Sequence, residues 1–368
     1  MKKLLAVLVL AALTLSLAAC RPDDPDDPET TVHTLNLFDF MDTFISVAFV
    51  LPEGEDSQPV KDAITEIYRT YHALTTGYEP LPEDSGFKAN IFEINNRVGE
   101  SVEIDKPLYD ILLEAEVMKE ATDGYFDVSV GKVVDIWKES ILGEDGYLFE
   151  TIPEDVFQST LTRALAIEIP EQPFELEEDQ GTYHVTVTDE SVKIDLGAIS
   201  KGYATEIVKN DLLSRGITYF SISAGSSSIA IGQNINRPDE DHVFVVSLAN
   251  PVRTGLSDGT YGTIRVKDTG VTTSGNYEQY ALYEGQRYHH IVSPLTNRPE
   301  QHYHTVTLIG GNIGHLDALS TALFSMDPDT FGAWMDLHGD DFGIEVIRFN
   351  TDGTVWTSLQ STPFEDIR

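Results

Sequence analysis

The run Gly310-Gly311-Asn312-Ile313-Gly314-His315-Leu316-Asp317-Ala318-Leu319-Ser320-Thr321 decides how this chain is read. Residues 305–309 have strand character, the glycines make a turn, and helical spacing runs from about 315 to 326. A strand that enters a helix through such a turn leaves backbone N–H groups unpaired at the helix start, where a phosphate could sit. Asp317 and Thr321 are four residues apart, so a carboxylate and a hydroxyl share one helical face. Hard oxygens of this kind suit Mg²⁺, which binds at roughly 2.0–2.1 Å and usually keeps waters or substrate phosphates as its other ligands. The same pattern also fits a first-turn carboxylate favoured by the helix dipole and a core hydroxyl bonded to its own backbone.

Upstream, two more segments carry chemistry. In Asp195-Leu196-Gly197-Ala198-Ile199-Ser200-Lys201-Gly202-Tyr203 a strand passes through small residues into a helix with Lys201 in its first turn. The dipole disfavours a cation there, so Lys201 is either a solvated surface lysine or the partner of an anion. Thr272-Thr273-Ser274-Gly275-Asn276-Tyr277 precedes His289-His290-Ile291-Val292-Ser293-Pro294-Leu295-Thr296-Asn297-Arg298-Pro299. The paired histidines are either structural or a source of a general base or metal ligand, and no third nitrogen or sulfur ligand lies at zinc spacing.

Further out, residues 33–51 alternate apolar and polar around Met41-Asp42-Thr43 and read as strands. Helices are predicted over 58–75, from an N-cap at Asp105 to Asp123-Gly124, and from about 200 to a stop at Gly216. Tyr183 to Leu196 reads as a hairpin turning at Asp189-Glu190, and strands are predicted at 219–223, 243–248 and 263–266. Residues 140–180 have no strong period and read as an insertion. Without repeating βαβ units the order is α+β.

The chain has 368 residues and a net charge of −37, from 24 Lys and Arg against 61 Asp and Glu. Binding nucleic acid by phosphate neutralisation needs a basic surface, so no nucleic-acid partner is expected. A phosphorylated ligand would need a cation to reverse the sign locally. Residues 1–19, basic then apolar and ending Leu17-Ala18-Ala19 before Cys20, resemble a bacterial lipoprotein signal peptide. A plain secretion signal with a coincidental cysteine is the other reading. Cys20 is the one cysteine, so no intrachain disulfide can form. Residues 20–32 then read as a lipidated start and an acidic disordered tether, leaving 33–368 as the domain. This predicts a cell-membrane protein, lipid-anchored on the extracytoplasmic face.

Taken together, the segments closely resemble the ApbE family, the FAD:protein FMN transferases. The blocks occur in the family's order: Met41-Asp42-Thr43, Asn90-Ile91-Phe92-Glu93-Ile94-Asn95, Asp123-Gly124-Tyr125-Phe126-Asp127 with Trp137, and Leu196 through Ala204. Thr273 through Tyr277, His290 through Pro299 and Asp317 through Ala322 follow. The resemblance covers about 35–350. It implies a T-fold-type α+β domain in two sub-parts with mainly antiparallel sheets, binding FAD with Mg²⁺. Carried over by position, the metal would be held by Asp317, Thr321 and the Ala198 carbonyl. FAD would meet Met41, Tyr78, Tyr125, Phe126, Asp127, Asp195, Lys201 and Ile291. His290 would lie near the scissile diphosphate as the base, with Asp317 competing for that role.

The implied reaction moves FMN to a Ser or Thr hydroxyl in a flavinylation motif of an electron-transfer flavoprotein subunit, releasing AMP. With water in place of the hydroxyl, the same machinery would be an FAD pyrophosphatase. A non-catalytic flavin- or solute-binding lipoprotein is the rival from another class, and a purely structural surface lipoprotein is a third. Three departures stand out: Ser293 where the family has Asp, Asn297 where it has Gly, and Ala224-Gly225-Ser226 in place of a Gly-Gly-Asp/Asn turn.

Overall fold

The computed structural model describes residues 29–142, 150–252 and 259–367, and the signal segment with Cys20 lies outside them. Strands β1 (Thr30–Phe40) and β2 (Thr43–Pro52) form the first hairpin. Met41 and Asp42 both have left-handed backbones, with φ of 54° and 51°, as a two-residue hairpin turn with the strands' own twist requires. The Met41 N–H donates to His72 Nδ1 at 3.0 Å, tying the turn to the next helix. Because β1 pairs from Thr30↔Pro52 onward, the ordered domain starts inside the stretch expected to be tether.

Helix α1 (Gln58–Thr75) buries Val60, Ile64, Tyr68, Tyr71 and Leu74, one stripe at helical spacing. Each such side chain contributes about 1.5–3 kcal/mol when fully buried. A short α2 (Ile91–Asn95) is closed by a capping box between Asn90 and Glu93. After β3 (Val102–Ile104) comes α3 (Lys106–Ala121). Asp105 stands at its N-cap but makes no cap bond, because its carboxylate accepts from the Lys88 N–H instead.

Next come α4 (Gly131–Ile141) and α5 (Glu154–Leu165). Strands β4 (Phe174–Asp179) and β5 (Thr182–Val187) follow, then α6 (Ser200–Ser214). Residues 140–180, which lack a period, thus include α5 and β4, and α5 packs Phe157 and Ala164 into the cluster around Trp137. The hairpin falls one strand earlier than expected. β5 pairs with β4 through a turn at Gln180-Gly181, both at positive φ, while the chain after Asp189 runs beside residues 128–131. The left-handed turn at Gln180-Gly181 closes the hairpin on β4, a strand inside the stretch read as an insertion.

The second half contains β6 (Phe220–Ala224), β7 (Ser228–Ile231), β8 (Phe244–Ala249), β9 (Thr260–Val266) and β10 (Thr269–Gly275). The hairpin β11 (Tyr280–Tyr283) and β12 (Gln286–His289) precedes β13 (Tyr303–Gly310), α7 (Ile313–Ser325) and α8 (Pro328–Phe342). Strands β14 (Glu345–Asn350), β15 (Val355–Ser358) and β16 (Phe364–Asp366) finish the chain. Helix α7 is followed by α8, capped by Asp327, which accepts from the N–H groups of Asp329 and Thr330.

The architecture is α+β with antiparallel sheets. An eight-stranded sheet has the order β1-β2-β6-β7-β10-β13-β14-β15, and three-stranded sheets are formed by β16-β9-β8 and β3-β5-β4. The β16-β9-β8 sheet packs through Phe244, Val246 and Ile264 against Ile229, Val271 and Ile347 of the large sheet. Helices α6 and α7 cross at Gly202, where a Cβ would lie 2.4 Å from the Ile313 carbonyl and 2.6 Å from Asp317 Cβ. That close approach needs glycine. Among the described residues no helix is long and apolar enough to cross a membrane.

Candidate active site

The β1–β2 turn, the loop after α1, the start of α6 and the middle of α7 surround one cavity of about 760 Å³. That volume lies within the usual range for a small-molecule site. At one end Asp317 and Thr321 of α7 line the wall with Ala198 and Lys201. Asp317 is 6% exposed, and both carboxylate oxygens are anchored. Oδ2 accepts from the Gly202 N–H at 2.8 Å and Oδ1 from the Ser228 hydroxyl at 3.0 Å. Burial pushes the Asp317 pKa up, while Lys201 and these two donors pull it down. With its N–H given to Asp317, Gly202 does not close a helical bond back to Ala198. The Ala198 carbonyl accepts no hydrogen bond among the described residues.

The donor set tests what could bind. Among the described residues no group of three or more His, Cys, Asp or Glu could hold a metal, so a soft-metal cage is absent. One carboxylate, one hydroxyl and one unpaired carbonyl line the same wall instead. Three hard oxygens with room for substrate oxygens fit Mg²⁺.

His290 and Ile291 line the cavity beside this end. Burial, then the charges of Lys138 and Lys201, push the His290 pKa down to about 4, so the ring is neutral at pH 7. Its Nδ1 is buried with no hydrogen-bond partner among the described residues. His289 is fully buried with Nε2 at 3.0 Å from the Glu300 carbonyl and its ring edge-on to Phe324, and is structural.

The cavity is also lined by Met41, Tyr78, Tyr125, Phe126, Asp127 and Asp195. Phe126 is also core, at 2% exposure. Asp127 is held by Lys119 at 2.9 Å and by the Ser129 N–H at 2.8 Å, so its side chain shapes the wall. Asp195 Oδ1 accepts from the Gly197 N–H at 2.8 Å, and its Oδ2 faces Lys138 at 3.7 Å. All twelve residues expected at the site through the resemblance thus meet in one cavity.

The glycine turn before α7 does not form the expected phosphate cradle. Ile313 N–H donates to the Glu206 carboxylate at 2.9 Å and His315 N–H to Asn312 Oδ1 at 3.1 Å, so two of the first-turn donors are spent. Residues 310–316 line no part of the cavity. Lys201 has as its hydrogen-bond acceptor a carbonyl, that of Gly197 at 3.2 Å, rather than an anion of the protein.

Sequence reading missed Ser228 and the group Asp135, Lys138 and Lys193. Asp135 and Lys138 share a face of α4 opposite Val133 and Trp137, and that amphipathic pattern was the available signal. Of the departures, Asn297 adopts φ of 55°, the conformation a glycine would take. Ser293 is fully buried and does not line the cavity, so a carboxylate there would lie behind the wall. Gly225 has φ of 71° in the β6–β7 turn against Thr43.

A family model described as the ApbE family matches residues 41–345. The FAD:protein FMN transferase of Haemophilus influenzae is 27% identical over 335 residues, covering 89% of this chain and 89% of that protein. The crystal structure of the ApbE protein from Thermotoga maritima has a TM-score of 0.67 at 26% identity, covering 89% of this chain and 97% of that one. The apo flavinyl transferase ApbE of Pseudomonas stutzeri shares the fold with a TM-score of 0.68 at 19% identity, over 91% of this chain and 96% of that one. With the model spanning most of its length and the motifs meeting in one cavity, the chain belongs to the ApbE family.

Proposed function

We propose that this transferase moves FMN from FAD to a Ser or Thr hydroxyl of an acceptor protein, with Mg²⁺ as cofactor and AMP as leaving group. The observation that carries the reading is the meeting of Asp317, Thr321 and the unpaired Ala198 carbonyl beside Lys201 and His290 in one cavity. When bound there, Mg²⁺ would supply positive charge to the diphosphate oxygens. Asp317, Thr321 and Ala198 would hold it, and Lys201 would add a fixed charge for the departing phosphate. The acceptor oxygen forms a bond to the FMN phosphorus, the bridging P–O bond to AMP breaks, and the hydroxyl proton passes to His290. His290 is neutral and can accept it. An anionic diphosphate beside Lys138 and Lys201 would relieve the repulsion that lowers its pKa, so basicity rises as substrate arrives.

The reading includes a lipid on Cys20 anchoring the protein at the extracytoplasmic face of the cell membrane, on the strength of Leu17-Ala18-Ala19-Cys20. Replacing Cys20 by Ala should move the protein from the membrane to the soluble fraction.

The test is incubation with FAD, Mg²⁺ and a candidate electron-transfer acceptor, then intact mass of the denatured acceptor. Addition of one FMN phosphoester with an equivalent of AMP is expected. Free FMN with AMP and an unmodified acceptor would make the enzyme a pyrophosphatase, and intact FAD would overturn the reading.

A further inference from the structure

Lys138 joins two parts of the cavity wall that are far apart in sequence. Its ammonium donates to the Tyr78 hydroxyl at 2.8 Å and lies 3.7 Å from Asp195 Oδ2. Tyr78 comes from the loop after α1, Asp195 from the approach to α6, and Lys138 from α4. An ammonium has three N–H donors. Among the described residues the Tyr78 hydroxyl is its one hydrogen-bond partner, since Asp195 is too distant to accept. The neighbouring Lys193 differs in that its charge is matched in contact by Asp135, although both ammoniums lie over the Tyr78 ring, at 4.8 Å for Lys193 and 5.3 Å for Lys138. Lys138 therefore lines the cavity with donors unspent, in a chain of net charge −37. Burial opposes its charge, but Asp195 and the Tyr78 hydroxyl outweigh burial and raise its pKa, so it stays an ammonium. Its charge and that of Lys201 both act on the His290 ring, so the two cations bear on one region.

We propose that Lys138 is a second substrate-binding cation, placing its free N–H donors on the diphosphate of FAD together with Lys201. This rests on the reading of the cavity as an FAD site. In a protein this acidic, one lysine and a divalent ion leave a dinucleotide diphosphate beside Asp195, which also lines the cavity, and Lys138 offsets that charge.

The test is quenching of flavin fluorescence by the mature protein in EDTA, where cleavage is prevented, with FAD and riboflavin as separate probes. Lys138→Met should weaken FAD binding roughly ten- to hundredfold, as expected for loss of a charge-assisted contact. Riboflavin binding should stay within about twofold, and Lys138→Arg should retain most FAD affinity. An equal loss for riboflavin would place the contact on the flavin ring and overturn the proposal. So would full reproduction of the loss by Tyr78→Phe, which would make Lys138 a positioning residue for Tyr78. Unchanged FAD binding by Lys138→Met alongside a binding wild type overturns this inference alone. A wild type that binds FAD neither in EDTA nor after Mg²⁺ is restored overturns it with the functional reading, and one that binds only with Mg²⁺ is compared with Lys138→Met in Mg²⁺ by the same criteria.

Discussion

The Ser228 hydroxyl donates to Asp317 Oδ1 at 3.0 Å, and both residues are buried. Ser228 opens β7 in the large sheet and Asp317 sits in the middle of α7, so one bond ties sheet to helix at the cation end of the cavity. With the Gly202 N–H on the other oxygen, the carboxylate cannot rotate, and its remaining lone pairs are fixed.

Ser228→Ala should leave the fold intact and loosen the proposed metal site. A hydrogen bond to a charged group is worth about 1.5–3 kcal/mol, so Mn²⁺ affinity measured by EPR should fall roughly tenfold or more. Equal affinity in wild type and variant would show that Asp317 needs no support from the sheet.

Gly202→Ala should be far more damaging. The added Cβ would meet the Ile313 carbonyl and Asp317 Cβ within 2.6 Å, forcing α6 and α7 apart. A stability loss of about 1–3 kcal/mol, or more because backbone must move, is expected in urea unfolding. A variant as stable as the wild type would mean that the two helices are not in contact as described.

Asn297 stabilises its loop in two ways. Its left-handed backbone suits Asn or Gly, and its amide donates to the Ala164 and Ile167 carbonyls at 3.1 and 2.9 Å, holding the loop on the end of α5. Asn297→Gly should cost about 1–2 kcal/mol through the lost bonds. Asn297→Ala should cost a further 1–2 kcal/mol or so of backbone strain. Denaturant midpoints should fall in the order wild type, Gly, Ala, and an Ala variant more stable than Gly would contradict this account.

His289 and His290 give the protein an acid sensitivity. Burial pushes both pKa values down to about 4 from the ordinary histidine value of about 6.5, so the unfolded chain binds more protons between those limits. Stability attributable to them is therefore complete above pH 6.5 and is lost as pH falls toward 4. For fully buried His289 the limit is about 3 kcal/mol. Thermal melts at pH 7 and pH 5 should show the loss, reduced in His289→Asn. An identical pH dependence in that variant would exclude His289 as a source.

Much of the fold was legible where local chemistry repeated a period. The buried stripe of α1 and the Met41-Asp42 turn needed no tertiary information. Strand β10, Thr-Gly-Val-Thr-Thr-Ser-Gly, has no apolar alternation of its own and becomes a strand because β7 and β13 flank it. Helix α8 escaped because few of its residues, among them Phe331 and Trp334, are buried. The site divides in the same way. Contiguous motifs exposed Asp317, Thr321, Lys201 and His290, whereas Ser228 and Lys138 matter through partners 89 and 60 residues away. The glycine turn misled because residues 310–316 lie away from the cavity, with the Ile313 N–H given to Glu206 of another helix.

The central claim is that a divalent ion bridges this protein to the diphosphate of FAD. Its most direct test is a crystal grown with FAD and Mn²⁺, with data collected for anomalous scattering. The account predicts a peak at bonding distance from Asp317, Thr321 and the Ala198 carbonyl, with diphosphate oxygens completing its shell. A bound dinucleotide whose phosphates lie away from Asp317, with no metal between them, would contradict it.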